Sequence, residues 1–191
     1  IEEGQSRFYP HGEATAHVLG YVAAVDETEL TGDPLLELPG FRIGKAGVEK
    51  TYDLALRGVS GASHVEVNAY GRVIRTLSQR DGEPGTPLVL TVDLELQQLI
   101  TERLRGQSAA AVVLDITNGD VLAMVSMPSF DPNGFNRGIT VEEWRALATD
   151  PAAPLTNKAI AGQYAPGSTF KMAVALAALE KGAVSADTTF Y

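Results

Sequence analysis

Asn157-Lys-Ala-Ile-Ala-Gly-Gln-Tyr-Ala-Pro-Gly-Ser168-Thr-Phe-Lys171 decides how this 191-residue chain is read. Pro166-Gly167 breaks the chain sharply, and an apolar run from Met172 to Leu179 follows, closed by Gly182. The pattern predicts a helix from about Ser168 to Lys181, with the glycine as its stop. Positions i and i+3 of a helix lie on one face, so Ser168 and Lys171 are set side by side. A serine hydroxyl is a weak nucleophile and needs a base within hydrogen-bond reach. A lysine amine serves as that base when it is desolvated or placed near other cations. The first-turn N–H groups of such a helix are unpaired and can stabilise an oxyanion on an attacked carbonyl. A helix that is apolar all round is expected to be buried on all sides, and Lys171, which opens that apolar turn, is expected to be buried with it. A bare Ser-x-x-Lys arises easily by chance in a chain with nine serines and five lysines, so its surroundings carry the argument.

Upstream, Thr140-x-x-Glu143 is a capping box that starts a short helix through Ala148, and Pro151 to Pro154 ends it. Trp144 and Leu147 are expected to anchor that helix to the core. Asn118-Gly119 is a hairpin turn between the apolar run Ala109 to Asp115 and a returning strand, Val121 to Ser126. The unbroken apolar character of the first run predicts a strand buried on both faces. Asp93 caps a helix whose expected inner face is Leu96, Leu99, Ile100 and Arg103/Leu104. Leu88 to Val92 is predicted as a strand.

The polar, turn-rich stretch Ser78 to Pro87 is the best domain boundary. Before it, Ser63 to Tyr70 alternates with period two, Gly71 turns, and Arg72 to Leu77 returns, which predicts a hairpin. Gly47 to Leu56 has helical spacing, and His17 to Val25 is apolar and β-branched enough to predict a short strand. That boundary divides the chain into two modules, residues 1–85 and 86–191. The chain starts at Ile1 and stops at Tyr191 just after a helix, so both ends are expected to be cut.

Composition narrows the partners. The formal charge of −9 argues against a nucleic-acid partner, which requires a basic patch. No cysteine is present, so disulfides, zinc thiolates and cysteine nucleophiles are excluded. His11, His17 and His64 are scattered without clustered carboxylates, which disfavours a metal site. Gly40-Phe-Arg-Ile-Gly44-Lys45-Ala46 lacks the spacing of a phosphate loop and its closing Ser or Thr. Asp115 to Asp120 lacks the length and final glutamate of a calcium loop, so it is a turn.

The segment from Asn157 to Lys171 closely resembles the active-site segment of class B penicillin-binding proteins, with their Ser-x-x-Lys signature. Ala109 to Asn133 looks like the first hairpin of their transpeptidase domain. Leu90-Thr-Val-Asp-Leu-Glu-Leu-Gln97 looks like the strand and helix that open it. Tyr9-Pro-His-Gly, Ala16-His-Val-Leu-Gly-Tyr21, Gly44-Lys-Ala-Gly-Val-Glu49 and Gly71-Arg-Val-Ile-Arg75 are similar to the N-terminal pedestal module. The resemblance covers nearly the whole chain and points to the elongation type. It implies an α+β fold, a partial dimerisation-type pedestal (1–85) plus the beginning of a β-lactamase-like transpeptidase domain (86–191).

By that resemblance the activity is D,D-transpeptidation of peptidoglycan stem peptides through a serine acyl-enzyme, with β-lactams acylating the same serine. Ser168 carries over as nucleophile, Lys171 as its base, and the Ser168 N–H as one oxyanion donor. No metal or cofactor is implied. Implied partners are stem peptides, β-lactams and, through the pedestal, membrane proteins of the elongation machinery. The implied location is the periplasmic face of the bacterial inner membrane, with an anchor outside this chain. The family's Ser-x-Asn and Lys-Thr-Gly groups occur nowhere in the 191 residues, so the chain alone is expected to be catalytically incomplete. Two other readings stand beside the enzyme. One is a non-catalytic docking module. The other, a β-lactamase or β-lactam sensor, is disfavoured by the pedestal motifs.

Overall fold

The computed structural model describes residues 6–59 and 61–189, so the chain ends at Ile1 and Tyr191 lie outside the described residues. Two compact units result, one ending at Ala161 and one beginning at Gly162.

Among the described residues, the first unit is knit from three antiparallel strand pairs and short helices. Helix α1 (Ala16–Leu19) leads through Gly20 into β1 (Val22–Ala24), which pairs with β2 (Arg42–Gly44). The predicted strand at His17 to Val25 is therefore half helix. The N–H groups of Val18 and Leu19 both bond back to the Thr15 carbonyl, which holds the turn despite the branched side chains. Gly20 has φ of 78°, and a Cβ there would come within 1.9 Å of the Ala46 carbonyl oxygen. Only glycine fits that approach.

Helices α2 (Gly47–Thr51) and α3 (Asp53–Arg57) divide the predicted Gly47–Leu56 helix in two. Strands β3 (Ala62–Val67) and β4 (Val73–Arg80) form the expected hairpin. Its cross-strand pairs separate an uncharged face (Val65 with Thr76, Val67 with Val73) from a charged one, where Glu66 meets Arg75 at 2.6 Å.

Helix α4 (Leu94–Arg103) starts at Asp93, whose carboxylate accepts from the Leu96 N–H at 3.0 Å. Its buried face is Gln97 and Thr101, not the predicted leucine stripe, and Leu99 is 54% exposed. Gln97, at 1% exposure, explains the difference. Its Nε2 donates to the carbonyls of Ala14 and Met124, both at 2.7 Å, and its Oε1 accepts the Met124 N–H at 2.8 Å. Met124 lies in β6 (Val121–Met127), which pairs with β5 (Ala109–Leu114). The Gln97 amide thus stands where a neighbouring strand would satisfy the outer edge of β6. The predicted strand at Leu88 to Val92 is not laddered. It runs beside the start of β6, where Thr91 Oγ1 donates to the Val121 carbonyl and the Asp93 N–H to that of Leu122, both at 2.8 Å. β5 alternates in burial instead of being buried on both faces, and Val112 and Leu114 are exposed.

Helix α5 (Pro132–Arg137) was not predicted; Asp131 caps it and proline occupies its first turn. Helix α6 (Val141–Thr149) carries the predicted capping box, Glu143 N–H to Thr140 Oγ1 at 3.2 Å and Thr140 N–H to Glu143 Oε2 at 2.8 Å. Helix α7 (Lys158–Ala161) closes the unit.

Its core is aromatic. Tyr21 stacks on Phe135 with centroids 4.0 Å apart, and Phe130 meets Tyr21, Phe135 and His17 edge-on. Ala16, Ile139, Leu147 and Leu155 pack around them. Trp144 reaches Phe135 edge-on at 6.2 Å, and Leu147 anchors α6 as expected.

Candidate active site

The second unit contains a 3-10 turn (Gly167–Thr169) that runs directly into α8 (Phe170–Glu180). Gly167 has φ of 53°, which suits the abrupt turn out of the preceding loop. Thr169 Oγ1 donates to the Pro166 carbonyl, and the Phe170 N–H bonds to the carbonyls of Gly167 and Ser168. Ser168 therefore sits in the tight turn just before the α-helix, not within its first α-helical turn. In a 3-10 turn residues i and i+3 eclipse, so Lys171 remains on the Ser168 face.

Both side chains are exposed. Among the described residues no hydrogen bond joins Ser168 to Lys171, and none engages the Ser168 N–H, which leaves that donor free for an incoming oxygen. Lys171 lines an apolar groove of about 320 Å³ with Gly167, Phe170, Val174, Ala175, Ala178 and Val184. Lys171 is exposed where it lines this groove, so the expected burial of the lysine is corrected. The expected burial of α8 is corrected too. Phe170, Met172, Val174 and Leu176 are all exposed, the last by 67%. An apolar helix surface of that extent marks a contact face.

The segment that precedes this unit is held by buried polar groups that the sequence did not single out. Ser126 Oγ donates to the Thr156 carbonyl at 3.1 Å and accepts the Lys158 N–H at 3.0 Å. Lys158 is only 7% exposed, and its ammonium donates to the Ala153 carbonyl at 3.0 Å. Burial lowers its pKa, partly opposed by Asp150. Asn157 Nδ2 reaches the His17 carbonyl at 3.3 Å. His17 itself is pushed down to about 4, by burial first and by the Lys158 charge second, against the Pro154 carbonyl.

A matching set of bonds ties residues 6–22 to 124–136. Tyr9 and Asn133 exchange two hydrogen bonds, Tyr9 N–H to Oδ1 at 2.9 Å and Nδ2 to the Tyr9 carbonyl at 3.0 Å. Tyr9 Oη accepts the Val22 N–H at 3.0 Å and donates to buried Glu49 at 3.3 Å, and Arg7 pairs with Glu49 at 2.9 Å. Burial, then the Glu49 charge, raises the Tyr9 pKa. Tyr9, Arg7 and Glu49 thus serve the packing of this unit. The one available signal for the polar clamps was an Asn or Gln inside otherwise apolar segments. Among the described residues no cluster of His, Asp or Glu forms a metal site, and no helix is long and apolar enough to cross a membrane.

Comparison with known proteins decides the family. Residues 1–90 match the penicillin-binding protein dimerisation domain, and residues 109–191 match the penicillin-binding protein transpeptidase domain. The chain belongs to the penicillin-binding protein family. Within it, the similarity runs to peptidoglycan D,D-transpeptidases named MrdA and to solved PBP2 structures. It is 44% identical over 190 residues to the peptidoglycan D,D-transpeptidase MrdA of Escherichia coli K12, covering 97% of this chain and 30% of that protein. It is 40% identical over 183 residues to penicillin-binding protein 3 of Bacillus subtilis, covering 95% and 27%.

Among solved structures, Pseudomonas aeruginosa PBP2 in complex with WCK 5153 superimposes with a TM-score of 0.79 and 38% identity, covering 96% of this chain and 37% of that one. Helicobacter pylori PBP2 in complex with MreC gives 0.81 and 33%, covering 97% and 34%. This penicillin-binding protein chain therefore has the α+β fold of the pedestal and transpeptidase modules, and spans about 30% of the length of the curated relatives it matches.

Proposed function

We propose that this chain is the nucleophile-bearing part of a peptidoglycan D,D-transpeptidase of cell elongation and shape maintenance. Ser168 Oγ attacks the carbonyl of the penultimate D-alanine of a stem peptide. Lys171, as free amine, takes the hydroxyl proton and passes it to the departing D-alanine amine. The bond to the terminal D-alanine breaks and a seryl ester remains. The amine of a second stem peptide then attacks that ester, a new amide cross-link forms, and the serine hydroxyl is restored. The Ser168 N–H donates to the oxyanion in both steps. A β-lactam carbonyl is attacked in the same way and leaves a slow ester.

The observation that carries this reading is the 3-10-to-α junction that holds Ser168 three residues before Lys171, a spacing that sets the two on one face. The 44% identity to a peptidoglycan D,D-transpeptidase supports it. Ser-x-Asn and Lys-Thr-Gly groups from a longer polypeptide would complete the site and strip water from Lys171.

We assign residues 1–85 to the pedestal and 86–191 to the transpeptidase module. The pedestal docks membrane proteins of the elongation complex, a reading supported by the H. pylori relative in complex with MreC. The protein works at the periplasmic face of the inner membrane. Labelling of the longer protein with a fluorescent penicillin tests the activity. Wild type takes the label and Ser168→Ala does not; equal labelling of both refutes the assignment. If neither takes it, the docking-module reading is the better one.

A further inference from the structure

Residues 24–41 carry Asp26, Glu27, Glu29, Asp33 and Glu37 and not a single lysine or arginine. Three of these acids are neutralised. Lys45 pairs with Glu29 and, at 3.5 Å, with Asp26, while Arg57 lies 3.6 Å from Asp33. Asp26 and Glu29 are also spent on a capping box around Glu27–Glu29. Among the described residues Glu27 and Glu37 make no ion pair, and both are exposed. The two line a groove of about 410 Å³ together with Val25, Leu30, Leu36, Leu38 and Phe41. Leu36 is buried beneath it, whereas Leu30 and Leu38 are 46% and 52% exposed.

From this juxtaposition we propose that the groove docks a cationic, partly apolar segment of a partner protein, its leucine-sized side chains between Leu30 and Leu38 and its lysines or arginines against Glu27 and Glu37. The proposal rests on the reading of the pedestal as a docking module and locates one such contact on it. Charge complementarity selects the occupant. A buried apolar contact flanked by unpaired carboxylates rewards a basic partner and rejects an acidic one. A second copy of this chain has the wrong sign overall, at a net −9, and an anionic membrane surface is repelled by the same loop. The groove volume lies in the range of about 300–1,000 Å³ typical of ligand sites, enough to take buried side chains.

The test uses a fluorescein-labelled 12-residue peptide of alternating lysine and leucine, followed by anisotropy with the 191-residue chain carrying Leu176→Glu as the reference background, which removes association through the exposed face of α8. A glutamate-for-lysine version of the peptide is the control. Binding of the lysine peptide is expected to weaken by at least about tenfold in the double variant Glu27→Lys/Glu37→Lys and in Leu38→Asp. It also weakens from 50 mM to 300 mM salt, since exposed charges are screened beyond a Debye length of about 10 Å at 0.1 M. Glu95→Lys, an exposed charge reversal on α4, leaves it unchanged. All substituted positions are exposed, and a thermal melt verifies that each variant is folded. The proposal is overturned if the lysine peptide does not bind, if folded groove variants bind it as wild type does, if Glu95→Lys weakens it equally, or if the glutamate peptide binds as well. None of these outcomes bears on penicillin labelling at Ser168, so the two readings fail separately.

Discussion

Gln97→Met tests the packing that holds the hairpin against the rest of the first unit. Methionine keeps the length and volume of glutamine but can make none of its three hydrogen bonds. Replacement strands the Met124 N–H, the Met124 carbonyl and the Ala14 carbonyl, at a site where the side chain is 1% exposed. A buried group left unsatisfied costs about 1–3 kcal/mol, and the apolar replacement returns part of that through easier burial, so a net loss of about 3–4 kcal/mol is expected. For a chain of this size about 1 kcal/mol shifts the melting temperature by ~2–4 °C, which gives a fall of roughly 10 °C.

Gln97→Glu separates the donors from the acceptor. The carboxylate can still accept from Met124 but cannot donate to the two carbonyls, and burial opposes its charge. Its melting temperature should therefore lie below that of Gln97→Met at pH 7 and recover towards pH 5, where the protonated acid regains one donor. The assay is differential scanning fluorimetry at fixed protein concentration, repeated by circular dichroism at 222 nm. A Gln97→Met melt within about 2 °C of wild type would refute the claim that this amide replaces a strand neighbour.

Four further outcomes are expected. His17 is held to about 4 in the folded chain against an ordinary value near 6.5, so between those pH values the unfolded state binds the extra proton. The His17 contribution should therefore be constant above about pH 6.5 and be lost as pH drops towards 4, and His17→Leu should flatten that part of the slope in urea titrations at a series of pH values. Tyr9→Phe removes the acceptor for the Val22 N–H and the donor to Glu49, and should cost about 1–3 kcal/mol in the same titration. Gly20→Ala should destabilise by more than ~2 kcal/mol, because the added methyl meets the Ala46 carbonyl in a left-handed backbone conformation. The chain alone should self-associate through the exposed apolar face of α8. Leu176→Glu should reduce both light scattering and binding of a hydrophobic dye, and an equally aggregated variant would count against that face.

The features legible in the sequence were those specified locally. Asp93, the Thr140–Glu143 box and Asn118-Gly119 declare their caps and turn within four residues, and each appears where it was expected. Side-chain alternation likewise gave the β3–β4 hairpin. What failed depended on distant partners. The inner face of α4 was read as leucines because periodicity cannot reveal that the neighbouring strand edge needs an amide; the polar Gln97 was the clue. Leu88 to Val92 looked like a strand and is extended, but its bonds to β6 run through a threonine side chain and one N–H instead of a ladder. The His17–Leu19 turn is helical because of backbone bonds to Thr15, which outweigh the modest preference of its residues for strands. At the candidate site, the spacing of Ser168 and Lys171 was plain. The 3-10 geometry at Ser168 and the exposure of Lys171 were not, since both depend on what packs against α8.

The account stands on Ser168 as the residue that becomes acylated. After brief exposure of the longer protein to benzylpenicillin, trypsin cuts behind Lys158 and Lys171 and releases the peptide 159–171, which carries Ser168. Fragment-ion mass spectrometry should find one penicilloyl group on Ser168 in wild type, a slower rise of the Ser168 adduct in Lys171→Ala, where loss of that cleavage site makes the peptide 159–181, and none on peptide 159–171 in Ser168→Ala. A penicilloyl group on another residue, or one that persists in Ser168→Ala, would contradict the account.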